Sequence, residues 1–149
     1  MSRAICEVML YAYIQLEHRC ERIDNDIYRI AVKSAFNNTM EVVKEIEQLT
    51  AEKIAYINVK VIIDRATDRL KQSYELKQYH CNGIKIQEIA TTVGMKENAI
   101  CKRLVRQRVK LYDEILKGYS TEELLNIIGD SQWLMRRYKQ AKKQGKKEE

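Results

Sequence analysis

The sequence contains no proline and only five glycines in 149 residues. Proline and glycine are the residues that most often end or interrupt a helix, so long helices have few enforced ends here. Residues 56–63 are rich in β-branched side chains and could form a strand, but no second candidate strand exists to pair with them. We therefore predict an all-α protein.

Long apolar runs are absent as well. No window holds eighteen consecutive apolar residues, and Glu7 interrupts the stretch where a signal peptide needs an apolar core. We expect no membrane association and a cytoplasmic location. The four cysteines, at positions 6, 20, 81 and 101, form no Cys-x-x-Cys pair, which favours free thiols over a disulfide framework.

Catalytic and metal-binding motifs are also missing. The two histidines, His18 and His80, each lie near a single cysteine, a spacing that matches no zinc site. The sequence has no glycine-rich phosphate loop and no nucleophile placed beside a base at a known spacing. We expect neither an enzyme, nor a bound metal, nor a cofactor.

Positive charge is concentrated in the last third of the chain. Residues 1–95 contain 13 basic and 13 acidic side chains, whereas residues 96–149 contain 14 and 8, which accounts for the whole net charge of +6. Segregated positive charge of this kind is typical of a surface that binds a polyanion.

Apolar residues at steps of three and four predict the helices of an N-terminal lobe, residues 1–80. We predict a helix from Ala4 to about Phe36, either continuous or broken near residues 24–26. A turn at residues 37–39 then leads to a short helix ending near Leu49. Thr50 is predicted to cap a further helix that reaches about His80, with Asn82 and Gly83 after its end.

Residues 118–138 have the pattern of a helical hairpin. Ser120 and Glu123 form a capping box in front of a helix over residues 121–128, and Gly129 and Asp130 end it. A last helix is predicted from Ser131 to about Gln140. The lysine-rich residues 139–149 have no apolar side chain larger than alanine, so we expect a disordered basic tail.

Between these parts, residues 81–117 have the pattern of a helix-turn-helix. Such a unit needs a small residue where its helices cross, a glycine or similar residue in the turn, and apolar residues that fill the shared core. Ala90 and Gly94 meet the first two requirements. The core residues are Ile86, Ile89, Val93, Met95, Ile100 and Leu104.

These residues resemble a known family. The stretch Gly83-Ile-Lys-Ile-Gln-Glu-Ile-Ala90, followed by Val93-Gly-Met95, Ile100-Cys-Lys-Arg-Leu104 and Arg106-Gln-Arg-Val-Lys-Leu111, is similar to region 4 of the sigma-70 factors. The resemblance implies that the second helix enters the major groove of promoter DNA. It covers about 29 of the 149 residues.

The sequence departs from that family in three respects. Lys96 stands where a serine or threonine usually opens the recognition helix, and Gln107 stands where a small residue is usual. Residues 1–82 do not resemble the sigma segment that grips polymerase and melts DNA. The chain is therefore more similar to the sigma-like regulators of phages and mobile elements than to a complete sigma factor.

Helical geometry selects candidate contact residues. Ile100 and Leu104 define the buried side of the second helix, and Asn98, Lys102, Val105, Arg106 and Val109 point away from it. Asn98, Lys102 and Arg106 carry the side chains that suit base edges in the major groove. Four flanking residues are predicted to contact phosphates: Lys96, Arg103, Arg108 and Lys110.

The sequence thus predicts a sequence-specific, double-stranded DNA-binding protein that regulates transcription. RNA polymerase is a further possible partner, and the N-terminal helices could form a homo-oligomer. Two alternatives stay open: a DNA-packaging protein similar to a phage terminase small subunit, and a helical interaction module acting on RNA polymerase.

Overall fold

The computed structural model describes residues 3–33 and 39–148, with side chains placed up to residue 145. Within this part of the chain every regular element is a helix, which confirms the all-α prediction. The elements are α1 (Arg3–Lys33), α2 (Thr39–Asp68), α3 (Tyr74–Leu76), a π turn (Lys77–Cys81), α4 (Ile86–Val93), α5 (Glu97–Gly118), α6 (Thr121–Ile128) and α7 (Gln132–Glu148).

Helices α1 and α2 pack against each other as a long hairpin. The α1 helix is continuous through the acidic residues near its middle, where Asp24 pairs with Lys53 of α2 at 2.6 Å and Asp26 pairs with Arg29 at 2.6 Å. Of the two possibilities for α1, the unbroken helix is correct. Asn37 and Asn38 of the predicted turn lie outside the described residues.

The predicted helix boundary at Leu49 and Thr50 is wrong, because α2 runs through both residues. The Thr50 hydroxyl donates a hydrogen bond to the Ile46 carbonyl at 2.7 Å, so it bonds within a continuous helix and caps nothing. The predicted end at His80 is also wrong. Helix α2 ends at Asp68, and His80 lies in the π turn.

Gly83 directs the chain from the π turn into α4. Its φ of 69° lies in the left-handed region, where residues with a Cβ are strained. A Cβ at this position would lie 2.8 Å from Cδ1 of Ile14, the end of an exposed side chain that can turn away. The backbone conformation is therefore the reason that the predicted turn after the lobe contains glycine.

At the C-terminus, Ser120 caps α6 as the capping box predicts: its Oγ accepts a hydrogen bond from the Glu123 N–H at 3.1 Å. Helix α7 then extends to Glu148, whereas a disordered tail was expected from residue 139. Tyr138 is buried and Ala141 packs against the core, which anchors the first three turns of α7.

A single apolar core joins the N-terminal hairpin to the later helices. It combines Leu10 and Leu16 of α1 with Ile63 of α2, Leu111 of α5 and Leu134 of α7. The lobe and the helix-turn-helix, which the sequence suggested as separate segments, therefore share their interior. Among the described residues, no helix has the length and apolar character needed to cross a bilayer.

Candidate nucleic-acid interface

Helices α4 and α5 and the short turn between them form the candidate interface. Helix α4 ends at Val93. Gly94, whose φ is 69°, then turns the chain, and the Met95 N–H donates to the Ala90 carbonyl at 3.0 Å. Space around Gly94 is open, so its left-handed backbone alone favours glycine there. Ile89, Ala90, Ile100 and Leu104 are buried between the helices, with three partly buried residues beside them: Ile86, Val93 and Met95.

One side of α5 faces solvent. Asn98, Lys102, Val105 and Arg106 are exposed along it, and we call these four residues the reading face. The Arg106 Nε makes one long hydrogen bond, 3.5 Å, to the Lys102 carbonyl of its own helix. Val109, which was expected to point the same way, is half-buried. The three candidate base-contacting side chains therefore lie on one open stripe.

The four residues predicted to contact phosphates fall into two groups. Lys96 and Lys110 are exposed. In contrast, Arg103 donates to the Glu75 carboxylate at 2.6 Å, and Arg108 donates through Nε to Nε2 of His80 at 2.9 Å. The first pair is available to a ligand, whereas the second pair also holds α5 to the segment before α4.

Buried polar contacts fix the position of α5. The side chain of Gln107 lies on the buried side, where its oxygen accepts from the Leu76 N–H at 2.9 Å and its nitrogen donates to Glu75 at 2.8 Å. Burial by itself raises the pKa of Glu75, but the hydrogen bonds from Gln107 and Arg103 outweigh it, so the pKa is lowered. Glu75 is therefore a buried carboxylate that stays ionised.

His80 provides a second contact of this kind. Burial, with a smaller contribution from the Arg108 charge, lowers the pKa of His80 to about 4. The ring packs edge-on against Tyr11 and Tyr79 at centroid distances of 4.8 and 4.9 Å. A neutral imidazole can accept the Arg108 hydrogen bond, and an imidazolium cannot. The contact therefore requires His80 to be uncharged.

The positive surface of α5 has a defined end. Residues 98–112 contain five basic and no acidic side chains. The first acidic residue after them, Asp113, pairs with Arg3 of α1 at 3.3 Å. A stretch of 15 residues without an acidic side chain corresponds to a helix length of about 22 Å, enough to lie along one major groove.

Sequence patterns alone missed Glu75, His80 and Gln107 as supports of this surface. A signal existed for Gln107, because it lies seven residues after Ile100 and so shares the buried side of α5. A polar side chain on a buried side needs hydrogen-bond partners, but the sequence does not identify them. Glu75 and His80 gave no comparable signal, since the partners that bury them lie about 30 residues away, on α5.

Other chemistry is sparse in the described part of the chain. No group of three or more metal-ligating side chains comes together there. Cys6 is buried, Cys20 and Cys81 are half-buried, and Cys101 on α5 is exposed. Burial raises the pKa of Cys6 to about 12 and that of Cys81 to about 11. Cys101 is thus the thiol most accessible to solvent.

Comparisons of the chain with protein-family models, with curated proteins and with solved structures found no match.

Proposed function

We propose that this protein binds double-stranded DNA in a sequence-specific manner and regulates transcription, with α5 as the recognition helix. The observation that carries the proposal is the reading face: Asn98, Lys102 and Arg106 lie exposed on one stripe of a helix whose opposite side is buried. An α-helix with such side chains fits the major groove, where asparagine suits adenine and lysine or arginine suits guanine.

In this proposal the basic residues of α5 have two roles, phosphate contact and support of the helix. Lys96 and Lys110 contact phosphates on either side of the reading face and set the position of α5 along the duplex. Val105, which is 56% exposed, lies between Lys102 and Arg106 and suits the methyl group of thymine. Arg103 and Arg108 serve mainly as supports, because Glu75 and His80 already hold them.

Support for the position of α5 comes from its buried contacts. A recognition helix loses specificity when its side chains are displaced by about an ångström, so the helix must be held rigidly by the rest of the protein. Gln107 and Glu75 join α5 to the segment before α4, and Leu111 and Ile115 join it to the core shared with α1. These contacts favour a fixed reading face over a solvated surface of an ordinary bundle.

The proposed role in transcription rests on the resemblance of residues 83–111 to sigma-70 region 4. In this reading the protein is a sigma-like regulator, typical of phages and mobile elements, and RNA polymerase is its proposed second partner. The supporting feature is the Lys102-Arg103-Leu104 and Arg106-x-Arg108 spacing on α5.

Selection from a pool of random duplexes tests the proposal directly. The full chain is mixed with the pool at low salt, bound duplexes are recovered and sequenced over several rounds, and affinities are then measured by fluorescence anisotropy. We expect one enriched motif, and an affinity for it that falls steeply as salt rises. Binding without an enriched motif would contradict base reading. No binding even at low salt would contradict the DNA proposal and favour a protein-interaction module.

A further inference from the structure

Helix α2 is apolar on two opposite sides. One side packs against α1 and the shared core through a continuous set of buried residues, namely Ala55, Tyr56, Val59, Ile62, Ile63 and Ala66. The other side also carries large apolar residues, and these are between 37% and 67% exposed: Met40, Val43, Ile54, Ile57 and Val61. Large apolar side chains grouped on a solvent-facing side of a helix are typical of a surface that packs against a partner.

The exposed apolar residues follow a heptad pattern. Met40, Val43, Glu47, Thr50, Ile54, Ile57 and Val61 are separated by alternating steps of three and four, and we call these seven positions the α2 seam. Five of the seven are apolar, and the pattern extends over three heptads. A seam of this spacing packs well against another helix that has the same spacing.

We propose that the α2 seam is the interface of a homodimer, in which α2 of a second copy lies antiparallel to α2 of the first. The seam can pack against a second copy of itself, because β-branched residues occupy its central positions. In the antiparallel arrangement Ile54 of one copy packs beside Ile57 of the other, and Val61 packs beside Thr50. Elements α3 to α7 leave the seam exposed within the described part of the chain.

Charge favours the antiparallel orientation. Glu47 lies on the seam and Arg65 lies in line with it one turn beyond Val61; both are exposed, and neither takes part in an ion pair within the described residues. When Ile54 faces Ile57 of the second copy, position 64 of that copy falls opposite Glu47. The Asp64 carboxylate there is turned towards α1, where it accepts a hydrogen bond from the Tyr13 hydroxyl at 2.6 Å. The exposed Arg65, one residue further along, is therefore the charged side chain within reach of Glu47, and symmetry produces the pair twice. Parallel packing would instead place Glu47 beside Glu47 and Arg65 beside Arg65.

The seam spans 22 residues, or about 32 Å of helix. A single helix-on-helix contact of this length lies at the small end of stable interfaces, so we expect a dissociation constant on the order of micromolar. The dimer does not depend on DNA and can be measured without it. A failure of DNA binding would therefore leave this inference intact, and a failure to dimerise would leave the proposed DNA contacts intact.

Sedimentation velocity of the full chain over a range of concentrations tests the dimer. We expect wild-type protein to shift from monomer to dimer as concentration rises, and Ile57→Glu to weaken the dimer at least tenfold, since it places charge in the apolar centre. Val32→Glu is the matched control: Val32 is an exposed valine on α1, outside the seam, and its substitution should leave the dimer unchanged. Circular dichroism checks that each variant stays folded.

A charge exchange tests the orientation. Glu47→Arg and Arg65→Glu should each weaken the dimer several-fold, and the double variant should recover wild-type association, because the two charges then attract again in reversed positions. A wild-type protein that stays monomeric at all concentrations, or a dimer insensitive to Ile57→Glu, would overturn the proposal. A double variant no better than the single ones would overturn the antiparallel arrangement.

Discussion

The side-chain nitrogen of Gln107 donates a hydrogen bond to the Glu75 carboxylate at 2.8 Å, and these two residues, 32 apart in sequence, are buried between α5 and α3. The same Gln107 side chain accepts from the Leu76 N–H, and the same carboxylate accepts from Arg103. Gln107 therefore satisfies two buried polar groups, the Leu76 N–H and one oxygen of Glu75, and fixes the rotation of α5. The reading face on the opposite side of the helix points outward as a result.

Replacing Gln107 by alanine should lower the free energy of unfolding by about 2–3 kcal/mol, because it leaves the Leu76 N–H and one carboxylate oxygen buried without a partner. Urea unfolding followed by circular dichroism measures the change. Gln87→Ala on the exposed side of α4 is the control and should change stability by less than about 0.5 kcal/mol. Equal effects of the two substitutions would mean that the Gln107 contacts contribute little.

The sequence predicted two helices joined by a glycine turn, and α4, Gly94 and α5 agree with it because the signals for these elements are local. Gly83 and Gly94 both occupy left-handed conformations that glycine accepts. The spacing of the apolar residues between them places these residues on a single side of α4, which must face the core. Ser120 likewise caps α6 through a contact three residues away. In each of these cases the deciding interaction lies within one or two helical turns.

Predictions that depended on distant contacts were less successful. Thr50 can either cap a helix or bond to the carbonyl four residues earlier, and its own sequence neighbourhood does not distinguish the two; in the structure it bonds to Ile46 inside the continuous α2. The π turn at Lys77–Cys81, which ends the predicted long helix early, buries His80 against Tyr11 of α1. No pattern within residues 70–82 contains that information.

His80 should titrate far below the ordinary range of histidine. Its pKa of about 4 in the folded protein lies below the ordinary 6.5, so the unfolded chain takes up a proton that the folded chain resists. The stability this provides is complete above about pH 6.5 and is lost as pH falls towards 4, up to about 3 kcal/mol. The lowered pKa of Glu75 acts with the same sign, since its contribution is also lost on acidification.

An NMR titration of the two histidine rings measures this pKa, and His18→Gln identifies which resonance belongs to His80. The expected midpoint is near 4. A midpoint near 6.5 would show that the ring is solvated and that the hydrogen bond from Arg108 is absent.

Replacing Lys96 by serine should change protein stability and DNA affinity in opposite directions. Lys96 and Lys85 occupy the N-cap positions of α5 and α4 in extended conformations, and neither side chain makes a capping hydrogen bond. Either Lys→Ser substitution should raise the free energy of unfolding by about 1 kcal/mol. Lys96→Ser should also weaken DNA binding and reduce the salt slope by about 1, whereas Lys85→Ser should change the slope less.

Thermal unfolding and anisotropy titrations at several salt concentrations measure both quantities for each variant. If Lys85→Ser lost more affinity for DNA than Lys96→Ser, the phosphate contact would be assigned to the start of α4 and not to the start of α5.

Cys101 offers a chemical test of the same surface. It is the exposed cysteine of the described chain, next to Lys102, whereas Cys6 is buried and burial raises its pKa to about 12. A maleimide reagent should therefore label Cys101 first, and saturating duplex DNA should slow that labelling at least tenfold by covering α5. Mass spectrometry after tryptic digestion measures the rate, and Cys101→Ser is the control that removes the fast-reacting site. Unchanged labelling in the presence of bound DNA would place the duplex elsewhere on the protein.

Arg106 and Lys110 distinguish base reading from phosphate contact, since both are exposed on α5 one turn apart. Arg106→Ala should weaken binding to the selected motif by about 1–3 kcal/mol and weaken binding to random duplex much less, because a guanine contact exists only at the correct site. Lys110→Ala should weaken both by similar factors and reduce the salt slope by about 1. Anisotropy titrations of each variant against the motif and a scrambled duplex measure the difference. Equal losses for Arg106→Ala on both duplexes would assign Arg106 to the phosphates and leave Asn98 and Lys102 as the residues that read bases.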